Sequence, residues 1–220
     1  MLPDLSLPLL LSILVFCLHL TGYTIYAIHT LREKIKPNVA SWSMWIFGGV
    51  VEYLTYDAID TENWFSSSLP LACLIGLSMI FTATLFLQIK SYLKTKSFDK
   101  NLHPPERVDY YLILFDVSAG FIWLVLHLPT LANIIAVGSS IVTFIPIWRT
   151  TLKTGEEKAL PWIFWCLAYT GMAIIVILEG GDKIFDKLFY PLYYLLLHFV
   201  VLILCYPVIR VYIRYLIKFE

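Results

Sequence analysis

Residues 5–31 read LSLPLLLSILVFCLHLTGYTIYAIHTL, a stretch without a single Asp, Glu, Lys or Arg. An apolar helix of about 20 residues is as long as bilayer hydrocarbon is thick. A block that is apolar all round has no face to turn to water, so it belongs in lipid or in a large core. Six further blocks follow: Trp42–Asp60, Leu69–Leu93, Val108–Leu126, Pro129–Trp148, Pro161–Leu178 and Leu188–Ile217. The chain is 59% hydrophobic and 15% charged, which leaves too little polar surface to cover so large a core in water. The expectation is an all-α membrane protein with seven transmembrane helices and the lipid bilayer as its main partner. No connection is long enough for a soluble domain, so residues 1–220 form one membrane domain. The first block lacks a signal peptide's cationic start and small-residue cleavage site, and is expected to remain as a long helix, tilted or with an interfacial end.

With seven spans, Lys and Arg divide unevenly. Fourteen fall on the side of the C-terminus: in the connections after the first, third and fifth blocks, at Lys90 near the end of the third block, and at Arg210, Arg214 and Lys218 at the C-terminal end. Two, Lys183 and Lys187, fall on the other side. Cytoplasmic loops carry the excess of Lys and Arg, which places the N-terminus outside and the C-terminus in the cytosol of a plasma or bacterial inner membrane. The acidic DAIDTENW connection then lies outside, as a solvated loop or as a mouth that attracts cations.

The chain also reads as one unit used twice. Trp42 and Trp45 align without a gap on Trp162 and Trp165, back to Thr30 on Thr150. Pro70 and Pro191, one step out of register, sit near the start of the third span of each unit. Residues 5–93 and 129–217 thus form two triple-helix repeats, and 108–126 a linker helix between them. The odd helix turns the chain round, so the two three-helix bundles run parallel, related by an axis along the membrane normal.

This 3+1+3 layout, the short LREKIKPN and LKTGEEKALP connections and PIWRTTLKTG after the fifth span resemble the SWEET and PQ-loop superfamily. That superfamily includes sugar transporters, lysosomal amino-acid exporters, vitamin carriers and the KDEL receptors. The resemblance implies a proline that bends the first helix of each triplet near its cytosolic end. Pro146 fits that place in the second triplet. Tyr26 occupies it in the first, and no Pro-Gln dipeptide occurs.

Helical spacing puts Trp42, Trp45, Gly49, Glu52 and Tyr56 on one stripe, and Trp162, Trp165, Tyr169, Met172 and Val176 on another. Trp42 and Trp162 fall at headgroup depth, where an aromatic belt is expected. Trp45 and Trp165 lie one turn deeper. There they close a central cavity or stack on a flat substrate, or else they pack on lipid and neighbouring helices. Glu52 lies mid-span, where a carboxylate facing lipid costs several kcal/mol, so it is expected inside, as a proton-coupling group or a structural hydrogen-bond partner. Asp116, in the linker, is read as structural. His19 and His198 are either satisfied helix–helix donors or, with Glu52, a proton relay. Asn133 bonds a substrate or a facing helix. Cys17, Cys73, Cys166 and Cys205 lie in four different blocks, form no C-x-x-C pair and read as small apolar helix residues. The KTKSFDKNLHPPER stretch reads as topology signal and headgroup contact, not as a nucleic-acid site.

The leading function is a carrier for a small-molecule substrate, binding near midplane and working by alternating access, with proton coupling as one version of it. A ligand-binding receptor or sorting protein on the same scaffold is the alternative. An intramembrane enzyme using His19, Glu52, Asp116 and His198 finds no H-E-x-x-H, C-x-x-C or G-x-S-x-G motif, and no cofactor or metal is expected.

Overall fold

A computed structural model describes residues 7–59, 64–126, 129–180 and 184–217. Side chains at 52, 55–59, 64–68, 116, 119, 120, 122–124, 126, 129–136, 185, 186 and 217 fall outside the description. Eight helices run along it: α1 (Leu7–Leu31), α2 (Val39–Ile59), α3 (Trp64–Thr95), α4 (Arg107–Leu126), α5 (Pro129–Thr154), α6 (Ala159–Glu179), α7 (Ile184–Leu204) and α8 (Pro207–Ile217). Among the described residues, four stretches are long and apolar enough to cross a membrane. These are Leu7–Leu31, Leu69–Thr95 in α3, Ala159–Glu179, and Lys187–Leu204 in α7.

The seventh apolar block is not one helix. Leu188–Ile217 divides at Cys205 and Tyr206 into most of α7 and all of α8. Pro207 causes the break: it disfavours helical backbone at Tyr206, has no N–H to continue α7, and suits the first position of a new helix. Arg210 folds back, and its Nη1 donates to the carbonyls of Leu204 and Cys205 at 3.1 Å each, satisfying acceptors freed at the end of α7. Arg214 reaches further, donating from Nε to Leu152 O at 2.6 Å and from Nη2 to the carbonyls of Leu152 and Lys153. The short helix therefore lies across the end of α5. Gly155, at φ +69°, ends α5 under the Arg210 guanidinium, where a Cβ would collide with it.

Helix contacts run in a closed cycle. α3 packs between α1 and α2, and α7 between α5 and α6. α1 meets α6, and α2 meets α5. Exchanging α1, α2 and α3 for α5, α6 and α7 leaves the cycle unchanged. α4 lies against α5 and α2, held by Asp109, which is fully buried. Its Oδ1 accepts from Arg149 Nη2 of α5 at 2.9 Å, and its Oδ2 accepts the Glu106 backbone N–H at 2.7 Å.

Proline occurs inside α3 (Pro70), α5 (Pro146) and α7 (Pro191). Each removes one helical donor, which packed neighbours make tolerable. The outer faces are apolar. Leu10 and Leu14 on α1, Phe86 and Ile89 on α3, Leu167 and Ile177 on α6, and Leu196 and Phe199 on α7 are all exposed. The core is aromatic, with Trp42, Trp162, Trp165, Tyr26 and Tyr190 among its largest fully buried side chains.

Candidate functional site

The two W-x-x-W pairs meet at the centre of the ring. One helical turn separates the indoles of each pair, so both project from one face. Trp42 and Trp45 on α2 stand edge to face at 4.7 Å and 81°, and Trp162 and Trp165 on α6 at 4.8 Å and 80°. The cross distances match as well. Trp42 to Trp165 and Trp45 to Trp162 are both 6.4 Å. Tyr23 of α1 packs on Trp165 at 4.9 Å, and Phe144 of α5 packs on Trp45 at 4.8 Å. Such ring separations and tilts are the favourable ones for aromatic pairs.

These rings wall a cavity of ≈ 40 Å³. At about 10–15 Å³ per water, that is room for a few waters. Its wall repeats along the chain. Trp42 and Trp162, Trp45 and Trp165, and Gly49 and Tyr169 are 120 positions apart. Cys73 and Tyr194, and Leu77 and His198, are 121 apart. All of them line it. None of its described lining residues is Asp, Glu, Lys or Arg.

Of the sequence candidates, Trp45, Trp165, Tyr169 and His198 line this cavity. His19 packs beside it, edge-on to Tyr169 at 5.2 Å. His198 lies 4.9 Å from the same ring. His198 Nδ1 faces the Tyr194 carbonyl at 2.8 Å; a carbonyl only accepts, so Nδ1 carries the proton and Nε2 is the acceptor of the neutral ring. Glu52 falls in α2, Asn133 in α5 and Asp116 in α4, and all three side chains lie outside the described residues.

Two readings of single residues change. Trp42 and Trp162 form no lipid-facing belt. They are 1% and 0% exposed, held inward by hydrogen bonds and ring contacts. Cys73 is more than a small apolar filler. Its Sγ lies 3.0 Å from His19 Nε2, 3.6 Å from Tyr169 Oη and 3.8 Å from Tyr190 Oη, joining α1, α6 and α7.

The residue that sequence reasoning missed is Glu157, in the connection between α5 and α6. A carboxylate in a short charged loop ordinarily faces water, yet this one is 6% exposed. Tyr26 Oη donates to its Oε1 at 2.8 Å, and Trp162 Nε1 donates to its Oε2 at 3.1 Å. Trp42 Nε1 in turn donates to Tyr26 Oη at 3.3 Å. Burial pushes the Glu157 carboxyl up to about 7, although both hydrogen bonds pull the other way.

Its neighbour Glu156 ties three connections together. Oε1 pairs with Lys36 at 2.7 Å and Oε2 with His103 Nε2 at 2.9 Å. Burial opposes the charge on Glu156, but Lys36 and His103 outweigh it and hold the carboxyl below its usual range. The KTKSFDKNLHPPER stretch thus does more than mark topology. The His103 N–H donates to Pro37 O at 2.9 Å, and His103 O accepts from Val39 at 3.2 Å, which fastens the α3–α4 connection to the α1–α2 connection. Among the described residues no cluster of three metal-ligating side chains occurs.

No family model matches the chain, and no curated protein or solved structure is significantly similar to it.

Proposed function

We propose that the chain is an integral membrane carrier that moves a small polar solute by alternating access, on a 3+1+3 scaffold like that of the SWEET and PQ-loop proteins. The observation that carries this reading is the matched tryptophan geometry around the cavity. Two pairs 120 positions apart share one edge-to-face arrangement and one cross distance, as a duplicated unit folded about an axis would give. The helix cycle supports the same axis, with α1–α3 and α5–α7 as the two halves and α4 as the linker. A pseudo-twofold ring with its cavity on the axis lets one half rock against the other around a fixed site.

The apolar outer faces suit acyl chains, and the basic connections, the one carrying Glu157 among them, suit the cytosolic side. Among described residues the wall is aromatic and uncharged, which suits a flat or weakly polar solute gripped by ring faces, with His198, Tyr169 and Cys73 as the polar contacts. The ≈ 40 Å³ cavity is then the closed, solute-free state.

Proteoliposomes holding the full chain, offered labelled sugars, amino acids and vitamin-like aromatic solutes, test this. Uptake of one class, reduced at least about tenfold by Trp165→Ala, is the expected result. Saturable binding with no flux in any class would replace the carrier with a receptor.

A further inference from the structure

One buried carboxylate is shared by the two halves. Glu157 belongs to the α5–α6 connection of the second half, whereas Tyr26 and Trp42 belong to α1 and α2 of the first. The hydrogen bonds run in one direction, from Trp42 to Tyr26 to Glu157, and Trp162 donates to the remaining oxygen. Parting the halves at this end breaks the Tyr26–Glu157 bond and admits water to the carboxyl.

We infer that Glu157 is a proton-binding site, loaded when this end of the molecule is closed and emptied when it opens, so that the latch between the halves also carries the proton. The inference deepens the carrier reading and rests on it for the meaning of opening and closing. The proton leaves the carboxyl oxygen for water at the basic end, with no other reactant.

The sign follows from linkage. In the closed state burial holds the carboxyl near 7, and in an open, wet state it returns to the ordinary range near 4.5. The state that holds the proton more tightly is favoured by acid, so low pH favours the closed end and that bias is lost as pH rises through 7. The surrounding groups do not reverse this. Tyr26 faces Glu157 from α1, Cys205 from the turn after α7, and Lys158 and Glu156 from its own connection. Arg210 of α8 sits over Gly155 and is committed to the carbonyls of Leu204 and Cys205. Lys36 and His103 are committed to Glu156.

Hydrogen exchange on the full chain in lipid nanodiscs, without any solute, tests the inference. The segments of interest are 36–42 and 153–158, read at pH 6 and pH 8 after correction for intrinsic exchange. A carboxyl at about 7 when closed and 4.5 when open gives a rise of about tenfold in opening between those pH values. Glu157→Gln abolishes the rise, and Glu156→Gln keeps it. A flat wild-type profile, or an unchanged rise in Glu157→Gln, overturns the proposal. A flat wild-type profile overturns the proposal even if that variant does not fold. Because the measurement needs no flux, it stands apart from the carrier reading: transport with flat exchange removes the latch alone, and a pH step without transport leaves the proton site in place.

Discussion

The Tyr26 hydroxyl donates to Oε1 of Glu157 at 2.8 Å, joining residues 131 positions apart. It brings the first helix against a loop that the sequence gives no reason to bury. Removing the hydroxyl leaves Oε1 and the Trp42 indole N–H without their partner. Tyr26→Phe is therefore expected to cost about 1–3 kcal/mol, the penalty for an unsatisfied buried polar group. The loss should be larger at pH 8 than at pH 6, because an ionised carboxylate needs its donors more than a neutral one. Thermal unfolding in lipid nanodiscs at both pH values checks it.

Glu157 also sets a slope on stability. Its folded-state carboxyl, at about 7, lies above the unfolded value of 4.5. Such a group stabilises the fold fully below about 4.5, and that contribution is lost as pH rises through 7. The melting temperature should fall between pH 5 and pH 8 through this group. Glu157→Gln, which does not titrate, should flatten that part of the profile.

The Asp109–Arg149 pair fixes α4 to α5. Asp109 is fully buried, and Arg149 is mostly buried. Asp109→Asn leaves the guanidinium only a longer contact to a half-exposed carboxylate and should cost about 3 kcal/mol, at the lower end for breaking a buried pair. Glu106, whose side chain is 49% exposed, also pairs with Arg149 at 3.5 Å. Glu106→Gln should cost less than about 1 kcal/mol. Comparing the two melting temperatures tests whether burial sets the difference.

Gly76 of α3 lies against the ring of Tyr23, and a methyl group there would overlap it. Small residues let membrane helices approach closely. Gly76→Ala should cost about 1–3 kcal/mol through overpacking and displace Tyr23 from the cavity wall. Gly48, whose Cβ position is open, is the control. Tryptophan emission should shift in Gly76→Ala and stay unchanged in Gly48→Ala, since Tyr23 packs on Trp165.

Much of this was legible in the chain, for reasons that separate cleanly. Apolar blocks place the helices because a helix without a polar face has few other options. The tryptophan spacing was legible because a turn of helix fixes which side chains share a face, and the sixth block's Trp162, Trp165, Tyr169, Met172 and Val176 are all buried. The break at Pro207 was written in the Tyr-Pro step, but the apolar residues on both sides hid it. Glu157 was hidden for a different reason. Burial of a loop carboxylate depends on which distant side chains close over it, and nothing local to TGEEKALP names Tyr26. Cys73 is similar: in a helix of Leu, Ile and Ala it reads as filler until His19 and Tyr169 are brought beside it. Glu52 drew attention by its depth, and its side chain lies outside the described residues.

Access to the cavity from the two faces of the membrane tests the central claim most directly. Ser140 lines the cavity and differs from Cys by one atom. With Cys17, Cys166 and Cys205 replaced by Ser and Cys73 kept as the background, Ser140→Cys in sealed vesicles should gain reaction with a membrane-impermeant thiol reagent added from either face alone, as the two ends open in turn. A gain from one face only, or from neither, would contradict a carrier built around this cavity.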